Sequence, residues 1–289
     1  MWTYLVRRVK SIFPALFIAS VISYFLLCWA HDYDSFNRIQ LFRYAINDFF
    51  YLQSIGYPVA SLTGIIWYLS SMFVAIIVLY PIIRKYRYVY LYYIAPVLSV
   101  LLYGLLIKVY GTLDCPANYI FDVFNTGNIR ALSGMMAGAL VYSFSGKLKK
   151  STSERSSVLL TIVEVASYIA SILLIHIRES ENCSIFDEQV VVLFIIGLSV
   201  TLSGKSLLGK IFKDNSICRL LGALSSVIFV VHFPWVQNTD KIFEHIGVRY
   251  DPVCEKYIAI LISLVLSCII FAVCKCFSGR KALKTADKA

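Results

Sequence analysis

The most conspicuous candidate for chemistry is His232, which closes a long apolar run. Residues 220–231 are apolar apart from one glycine and two serines, and Phe233, Pro234 and Trp235 follow the histidine directly. Roughly twenty helical residues cross the hydrocarbon of a bilayer, so this run predicts a spanning helix with the histidine near one membrane face. An ionisable side chain at that depth suggests a functional site. A histidine that only caps the helix or lies among headgroups fits the position equally well.

Three cations are placed where they could bind an anion. Arg7 and Lys10 are three residues apart, so on a helix they share one face and could hold one anionic group together. Side chains that only anchor the helix at the membrane surface are the alternative. Arg130 enters an apolar segment, where a guanidinium needs a carboxylate, a phosphate or water. It either pairs with a loop acid such as Asp122 or is placed for a substrate.

Membrane helices must position these residues. The chain has 289 residues, of which 59% are hydrophobic and only 15% charged, and its mean hydropathy is +0.73. A soluble domain has about 25% charged residues. We therefore predict an all-α polytopic bundle, a single membrane-embedded domain of residues 1–289 whose first apolar segment is retained. The eight predicted spans are 12–31, 62–83, 88–107, 129–145, 157–177, 188–204, 217–236 and 255–275.

The lysines and arginines are concentrated on one predicted side of the membrane. The net charge is +10, and most of the 27 lysines and arginines fall in alternate connections and near the two ends. The positive-inside rule predicts that both termini are cytoplasmic and that the basicity encodes orientation, with some attraction to membrane lipids. Nucleic acid is therefore not expected as a partner. Glu164 then lies a few residues inside a span, and we expect a carboxylate in contact with interfacial water rather than a catalytic one.

The outward connections carry two further signals. Residues 30–62 mix aromatic and aliphatic side chains with charged ones, which is typical of an amphipathic helix lying along the outer interface. The eight cysteines form no set of paired CxxC ligands, and we predict no metal site. Cys115, Cys183 and Cys254 fall in outward loops, where an oxidising compartment would allow a disulfide between two of them. Their spacing does not select the pair.

Four segments, in this order, resemble the acyltransferase-3 family. RRVKSIFPALF is similar to the family's helix start with two cations and a proline, and IIWYLSSMFVAIIVLYPII to its Trp-(Phe/Tyr)-Leu helix that ends in proline. IRALSGMMAGALVY resembles its helix with an arginine before glycine, and SSVIFVVHFPW its His-Phe-Pro stretch. The resemblance implies an integral membrane protein that moves acyl groups, often acetyl, onto sugars of surface polysaccharides, lipopolysaccharide O-antigen and related acceptors.

The resemblance also implies a role for each candidate residue. Acyl-CoA, such as acetyl-CoA, would be a cytoplasmic co-substrate rather than a bound cofactor, and Arg7 and Lys10 would meet its acidic part. Trp67, Arg130 and His232 would line the acceptor or transfer path toward a glycan outside the inner membrane of a bacterium. Acyl transfer needs a base or a nucleophile and a partner for the developing oxyanion. The catalytic residue stays unknown, with His232 as a weak candidate.

The chain departs from the family's pattern in two places. The family's cation pair is Arg-x-x-Arg, whereas Lys10 here replaces one planar guanidinium. The family also has two earlier helices, in which a catalytic histidine follows a basic residue by eleven positions. None of the four histidines here has a basic residue at that spacing, so we expect the chain to begin at the family's third helix.

Two other functions therefore remain as alternatives. One is a catalytically inactive, truncated homologue or partner subunit, which the missing histidine motif favours. The other is a transporter of a small solute or a lipid-linked sugar. The chain shows no internal repeat and no paired, interrupted helices in two halves, which argues against transport.

Overall fold

Helices dominate the fold. The computed structural model describes residues 2–54, 61–113, 115, 118–120, 124–151, 157–181, 186–212, 215–248 and 251–286. The α-helices in these ranges are α1 Trp2–Ala30, α2 Ser35–Phe49, α3 Ile66–Lys85, α4 Arg87–Val89, α5 Ala95–Tyr110, α6 Thr126–Ser151, α7 Ser157–Glu181, α8 Phe186–Ser203, α9 Leu207–Phe212, α10 Ser216–Gln237, α11 Thr239–Ile246 and α12 Pro252–Ala286. A 3₁₀ turn covers Leu52–Ser54, and a π-helical turn, Tyr90–Ile94, joins α4 to α5. Tyr119–Ile120 pairs antiparallel with Phe124–Asn125.

Within the described ranges, seven helical segments are long and apolar enough to cross a membrane. They are Trp2–Ala30, Ile66–Lys85, Arg87–Tyr110, Ser157–Ile177, Phe186–Ser203, Ser216–Gln237 and Pro252–Cys276. They confirm the predicted all-α membrane architecture and overlap seven of the eight predicted spans. The remaining predicted span, 129–145, lies within α6. This helix has 26 residues, but its glycines, serines and lysines make it less apolar than the other seven.

The first of two compact units contains Met1–Ser70 and Arg219–Ala289. In this unit α1 packs against α2, α11 and α12. The amphipathic helix predicted in residues 30–62 is α2, and the carboxylate of Asp34 caps it by accepting from the backbone N–H of Asn37 at 2.8 Å. A buried cluster fastens α2 to the end of α1. Its members are Leu27, Leu41, Ala45 and Leu62.

The second compact unit is Ser71–Cys218, in which α6 packs against α5 and α8, and α7 packs against α8. Small residues allow these helices to approach closely. The hydroxyl of Ser99 on α5 donates to the carbonyl of Ser133 on α6 at 3.2 Å, and a Cβ at Gly197 of α8 would lie 3.0 Å from the ring of Tyr168 on α7. Outward faces expose large aliphatic side chains such as Val100, as a lipid-facing surface requires.

Candidate functional site

His232 is half-buried in the last turns of α10, and its ring has a defined tautomer. Its Nδ1 lies 2.8 Å from the carbonyl oxygen of Ile228. A carbonyl oxygen can only accept, so Nδ1 carries the hydrogen. In the neutral imidazole the other nitrogen, Nε2, then keeps its lone pair and can take up a proton. The backbone of α10 thus leaves His232 with the ring nitrogen that a general base needs.

A row of aromatic rings connects His232 to Trp67 within the first unit. The rings of Trp67 and Tyr68 have centroids 5.9 Å apart, and Tyr68 lies 5.7 Å from Phe229. Phe229 and Phe233 each lie 6.4 Å from the His232 ring. Trp67 and His232, which the family resemblance predicts to line the acceptor or transfer path, are therefore part of one aromatic surface, built by the start of α3 and the end of α10. We call these five rings the aromatic row.

Gly64 fits against this row in a way that only glycine permits. Its φ is +74°, a left-handed conformation, and a Cβ at this position would overlap the ring of Phe233. The N–H of Gly64 also donates to the hydroxyl of Ser61 at 2.8 Å. The loop before α3 therefore lies directly against the residue that follows His232.

Asp48, the next-to-last residue of α2, holds this loop. Its side chain is 0% exposed. Oδ1 accepts from the amide of Gln53 at 2.7 Å and from the hydroxyl of Ser61 at 2.8 Å. Oδ2 accepts from the backbone N–H and the hydroxyl of Thr63, each at 2.9 Å. One buried carboxylate thus fixes the segment that contains Gly64.

The environment of Asp48 changes its acidity. Burial raises the pKa of its carboxyl from 3.8 to about 6, although the hydrogen bonds from Thr63 and Ser61 act to lower it. Sequence reasoning missed this residue as part of the site. The available signal was a carboxylate in an otherwise apolar stretch, flanked by Ile46 and Phe49.

A second set of polar groups surrounds an open cavity of about 370 Å³ in the first unit, which we call the histidine cavity. Its lining residues are Ala30, His31, Asp32, Lys241, Glu244 and His245. Nδ1 of His245 lies 3.5 Å from a carboxylate oxygen of Asp32, and the ring of Trp29 lies 4.4 Å from the His245 ring. Nε2 of His31 lies 3.0 Å from the side-chain oxygen of Asn238.

The backbone at this cavity is also unusual. Asp32 has φ +47°, a region that residues other than glycine seldom occupy. Such conformations concentrate at functional sites. An imidazole beside a carboxylate at an open cavity can accept the proton of a hydroxyl group. Sequence reasoning did not find this site because its residues come from the turn that follows α1 and from α11, about 200 positions apart in the chain (207 between His31 and the neighbouring Asn238).

The predicted donor-binding cations lie at the opposite end of α1. Arg7 and Lys10 are both exposed and, three residues apart, share one side of the helix. At 1.5 Å per residue, Lys10 is roughly 30 Å along α1 from its last residue, Ala30. Arg130 is half-buried in the second turn of α6, in the other unit, and Asp122, its proposed partner, lies outside the described residues. The structure thus brings Trp67 and His232 together and leaves Arg7 and Lys10 apart from them.

The expectation of a water-exposed Glu164 is wrong. Its side chain is 0% exposed, because α8 packs over this part of α7. Oε1 of Glu164 accepts a hydrogen bond from the hydroxyl of Thr201, whose oxygen lies 2.8 Å from the hydroxyl of Tyr168. Glu164 therefore belongs to a buried polar group between two membrane helices.

The cysteines add no metal centre to the described part of the chain. Cys115 is buried, with its thiol 3.7 Å from the carbonyl of Thr112, and Cys254 is exposed. Cys183 lies outside the described residues. Among the residues that are described, no group of three or more His, Cys, Asp and Glu side chains is arranged to hold a metal ion.

Comparisons with known proteins complete the description. No curated protein matches the chain, and no solved structure does. The model of a protein family described as an acyltransferase domain matches residues 1–274. With its apolar helices, this match makes the chain a multi-pass membrane protein that carries an acyltransferase domain. The match spans nearly the whole chain, and the chain therefore belongs to the acyltransferase-3 family.

Proposed function

We propose that this protein transfers an acyl group, in the first instance acetyl, from acyl-CoA to a hydroxyl group of a cell-surface or lipid-linked glycan. O-antigen or an exopolysaccharide at a bacterial inner membrane is the acceptor class that we propose. The observation that carries the proposal is the match of residues 1–274 to the acyltransferase domain. The aromatic row beside His232 supports a sugar acceptor, because flat aromatic faces pack well against the apolar faces of sugar rings.

The proposed chemistry needs one proton acceptor. The glycan oxygen forms a bond to the thioester carbonyl carbon, the carbon–sulfur bond breaks, and CoA leaves as its thiolate or thiol. The proton of the hydroxyl is held by a base and ends on the sulfur of CoA. Nε2 of His232 is suited to this role because its Nδ1–H is directed at Ile228. His245 beside Asp32 is the second candidate, since a carboxylate near Nδ1 can orient the ring so that Nε2 accepts the proton.

We assign the acidic part of acyl-CoA to Arg7 and Lys10. Both are exposed on one side of α1, at the end predicted to face the cytoplasm, where acyl-CoA is found. Replacing both with alanine should raise the KM for acetyl-CoA roughly two- to tenfold, the range expected for two exposed ion pairs, with little change in kcat. Arg8→Ala is the matched control, because its exposed side chain points about 100° away around the helix. Unchanged binding of acetyl-CoA to the double variant would show that the donor assignment is wrong.

The function is tested with the purified full chain in lipid nanodiscs, with labelled acetyl-CoA and a deacetylated lipid-linked glycan. Transfer of label to the glycan supports the proposal. His232→Gln should then lower kcat by a factor of about 10² to 10⁴ if His232 is the base. If His232→Gln is fully active and His245→Gln is not, the base belongs to the histidine cavity.

The same preparation separates the alternatives. Glycan movement across reconstituted vesicles without label transfer would identify a transporter and would refute acyl transfer. Absence of both activities, in protein that is shown to be folded by thermal unfolding, would favour an inactive homologue or a partner subunit.

A further inference from the structure

The second unit contains an open cavity of about 660 Å³ that none of the roles above uses. It lies between the turn at α4, the C-terminal part of α6 and the end of α8, and we call it the basic cavity. Its volume is within the range of about 300–1,000 Å³ that is typical of small-molecule sites. The lining residues are Arg87, Tyr88, Leu91, Tyr92, Tyr142, Ser143, Ser145, Gly146, Lys147, Lys149, Lys150 and Leu202.

The described residues of this lining carry charge of one sign only. Arg87 and three lysines of α6, Lys147, Lys149 and Lys150, contribute to it, and all four side chains are exposed. No acidic side chain is among the described residues that line the cavity. Convergent cations without counter-charges raise the local concentration of anions. The lining therefore favours a ligand with several negative charges, such as a phosphorylated molecule.

Aromatic rings stand among these cations. The rings of Tyr88 and Tyr92 have centroids 4.6 Å apart, and Nζ of Lys147 lies 4.6 Å from the Tyr92 centroid. Tyr88 and Tyr142 are 65% and 64% exposed, so both present ring surface to a ligand. Stacking on exposed tyrosines is a common way to bind a nucleic-acid base, and cations beside the rings then bind its phosphates. A phospholipid headgroup supplies phosphate but no planar base.

The backbone departs from the ordinary α-helix at this wall of the cavity. Tyr90–Ile94 forms a π-helical turn, and Leu91 and Tyr92, which lie within it, line the cavity. Such turns are rare and occur frequently at functional sites. Tyr90 itself is 0% exposed and packs with Leu79, Ala95 and Met136, so the turn is anchored from behind.

We propose that the basic cavity binds the 3′-phosphorylated adenine nucleotide part of acyl-CoA. The adenine stacks on Tyr88, and the phosphates lie among Arg87 and the lysines of α6. The inference rests on the proposed function, which makes acyl-CoA the donor. It offers a second location, distinct from the cations of α1, for the acidic part of that donor, and the Arg7/Lys10 variant and the cavity variants distinguish the two. By the positive-inside rule, this lysine-rich end of α6 faces the cytoplasm, the side on which acyl-CoA is found.

The test measures binding of CoA, dephospho-CoA and 3′,5′-ADP to the full chain in nanodiscs by titration calorimetry. Wild-type protein should bind CoA more tightly than dephospho-CoA, which lacks the 3′-phosphate. Lys147→Gln with Lys149→Gln should weaken CoA binding roughly tenfold and remove most of this preference. Lys205→Gln with Lys210→Gln is the matched control, because both lysines belong to the same unit but do not line the cavity.

A second pair of variants tests the stacking. Tyr88→Leu should weaken CoA binding about fivefold or more, and Tyr88→Phe, which keeps the ring, should bind like wild type. Each variant is first shown to have the wild-type unfolding temperature. Equal CoA affinity of the lysine variant, the tyrosine variant and wild type would overturn the inference.

Two further measurements distinguish nucleotide binding from lipid binding, and a wrong cavity assignment from a wrong proposed function. If the cavity holds a lipid headgroup, nanodiscs rich in phosphatidylglycerol will retain that lipid on wild type but not on the Lys147/Lys149 variant, while CoA affinity stays unchanged. That outcome overturns the nucleotide site. If wild type transfers acetyl groups and the cavity variants bind CoA normally, the cavity assignment fails and the function stands. If wild type binds no CoA and transfers nothing, the proposed function itself fails.

Discussion

Replacing Asp48 with asparagine should change how the stability of the protein depends on pH. The carboxylate of Asp48 is fully buried and accepts four hydrogen bonds, two on each oxygen. Asparagine can keep its oxygen toward the N–H and hydroxyl of Thr63. Its amide can donate to Ser61, and Gln53 can turn its own amide oxygen toward it. The Asp48→Asn variant should therefore fold, but it lacks the carboxyl group that titrates in the wild-type protein.

The magnitude follows from the pKa of Asp48, which burial raises from 3.8 to about 6. Below pH 3.8 the carboxyl is protonated in both the folded and the unfolded chain, and above pH 6 it is ionised in both. Between these values only the folded state holds the proton. The free energy of unfolding therefore falls as pH rises through this window, by roughly 3 kcal/mol in total. The asparagine variant lacks this contribution.

The assay is thermal unfolding in detergent micelles, followed by tryptophan fluorescence at pH 4 to 8. Relative to wild type, the Tm of Asp48→Asn should rise by at least about 5 °C between the two ends of this range. Asp34→Asn is the matched control, because the exposed Asp34 caps the same helix and asparagine also caps well. A Tm difference between Asp48→Asn and wild type that stays constant with pH would refute the reasoning.

Two further predictions concern contacts among helices and loops, one of packing and one of hydrogen bonding. Gly64→Ala should lower the free energy of unfolding by more than about 1 kcal/mol, because the added Cβ meets the Phe233 ring at a positive φ. Gly222→Ala is the control, because a Cβ there meets no atom within 4 Å; it should be neutral or stabilising by up to about 1 kcal/mol. If Gly64→Ala and Gly222→Ala unfolded at the same temperature, the packing argument for Gly64 would be wrong. Thr201→Val should destabilise by roughly 1–3 kcal/mol, because the buried Glu164 loses a hydrogen-bond donor. Thr201→Ser keeps that donor, so the serine variant should unfold at the higher temperature of the two.

The membrane helices were largely predictable because a bilayer tolerates little else. A run of about twenty apolar residues must satisfy its backbone internally, and a helix does this within one segment. The predicted span 157–177 coincides with the observed segment Ser157–Ile177, and 217–236 differs from Ser216–Gln237 by one residue at each end. The eighth predicted span, 129–145, lies in α6, which is not among the seven described helices apolar enough to cross a membrane because it packs through small and polar residues.

The polar contacts were much less predictable. Asp48 is bound by Ser61 and Thr63 of the loop before α3, and hydrophobic periodicity does not specify where a loop side chain will point. Glu164 was judged by its distance from a predicted membrane edge, yet its burial depends on Thr201, which a different helix supplies. His232 could be identified because the apolar run before it is local. The pairing of Asp32 with His245 could not, since residues more than 200 positions apart form it.

The π-helical turn Tyr90–Ile94 bears on how length variation in this segment is interpreted. Each residue of an α-helix advances the chain by about 100° around the axis, so the extra residue in a π turn rotates what precedes it by about that angle. Removing a single residue here would therefore leave the tyrosines and cations in the sequence but would change which of them point into the basic cavity. A one-residue gap at this position in a homologue would consequently rotate the side chains on one side of the gap by about 100° around the helix axis. Its ligand specificity could differ even where every side chain of the cavity is retained.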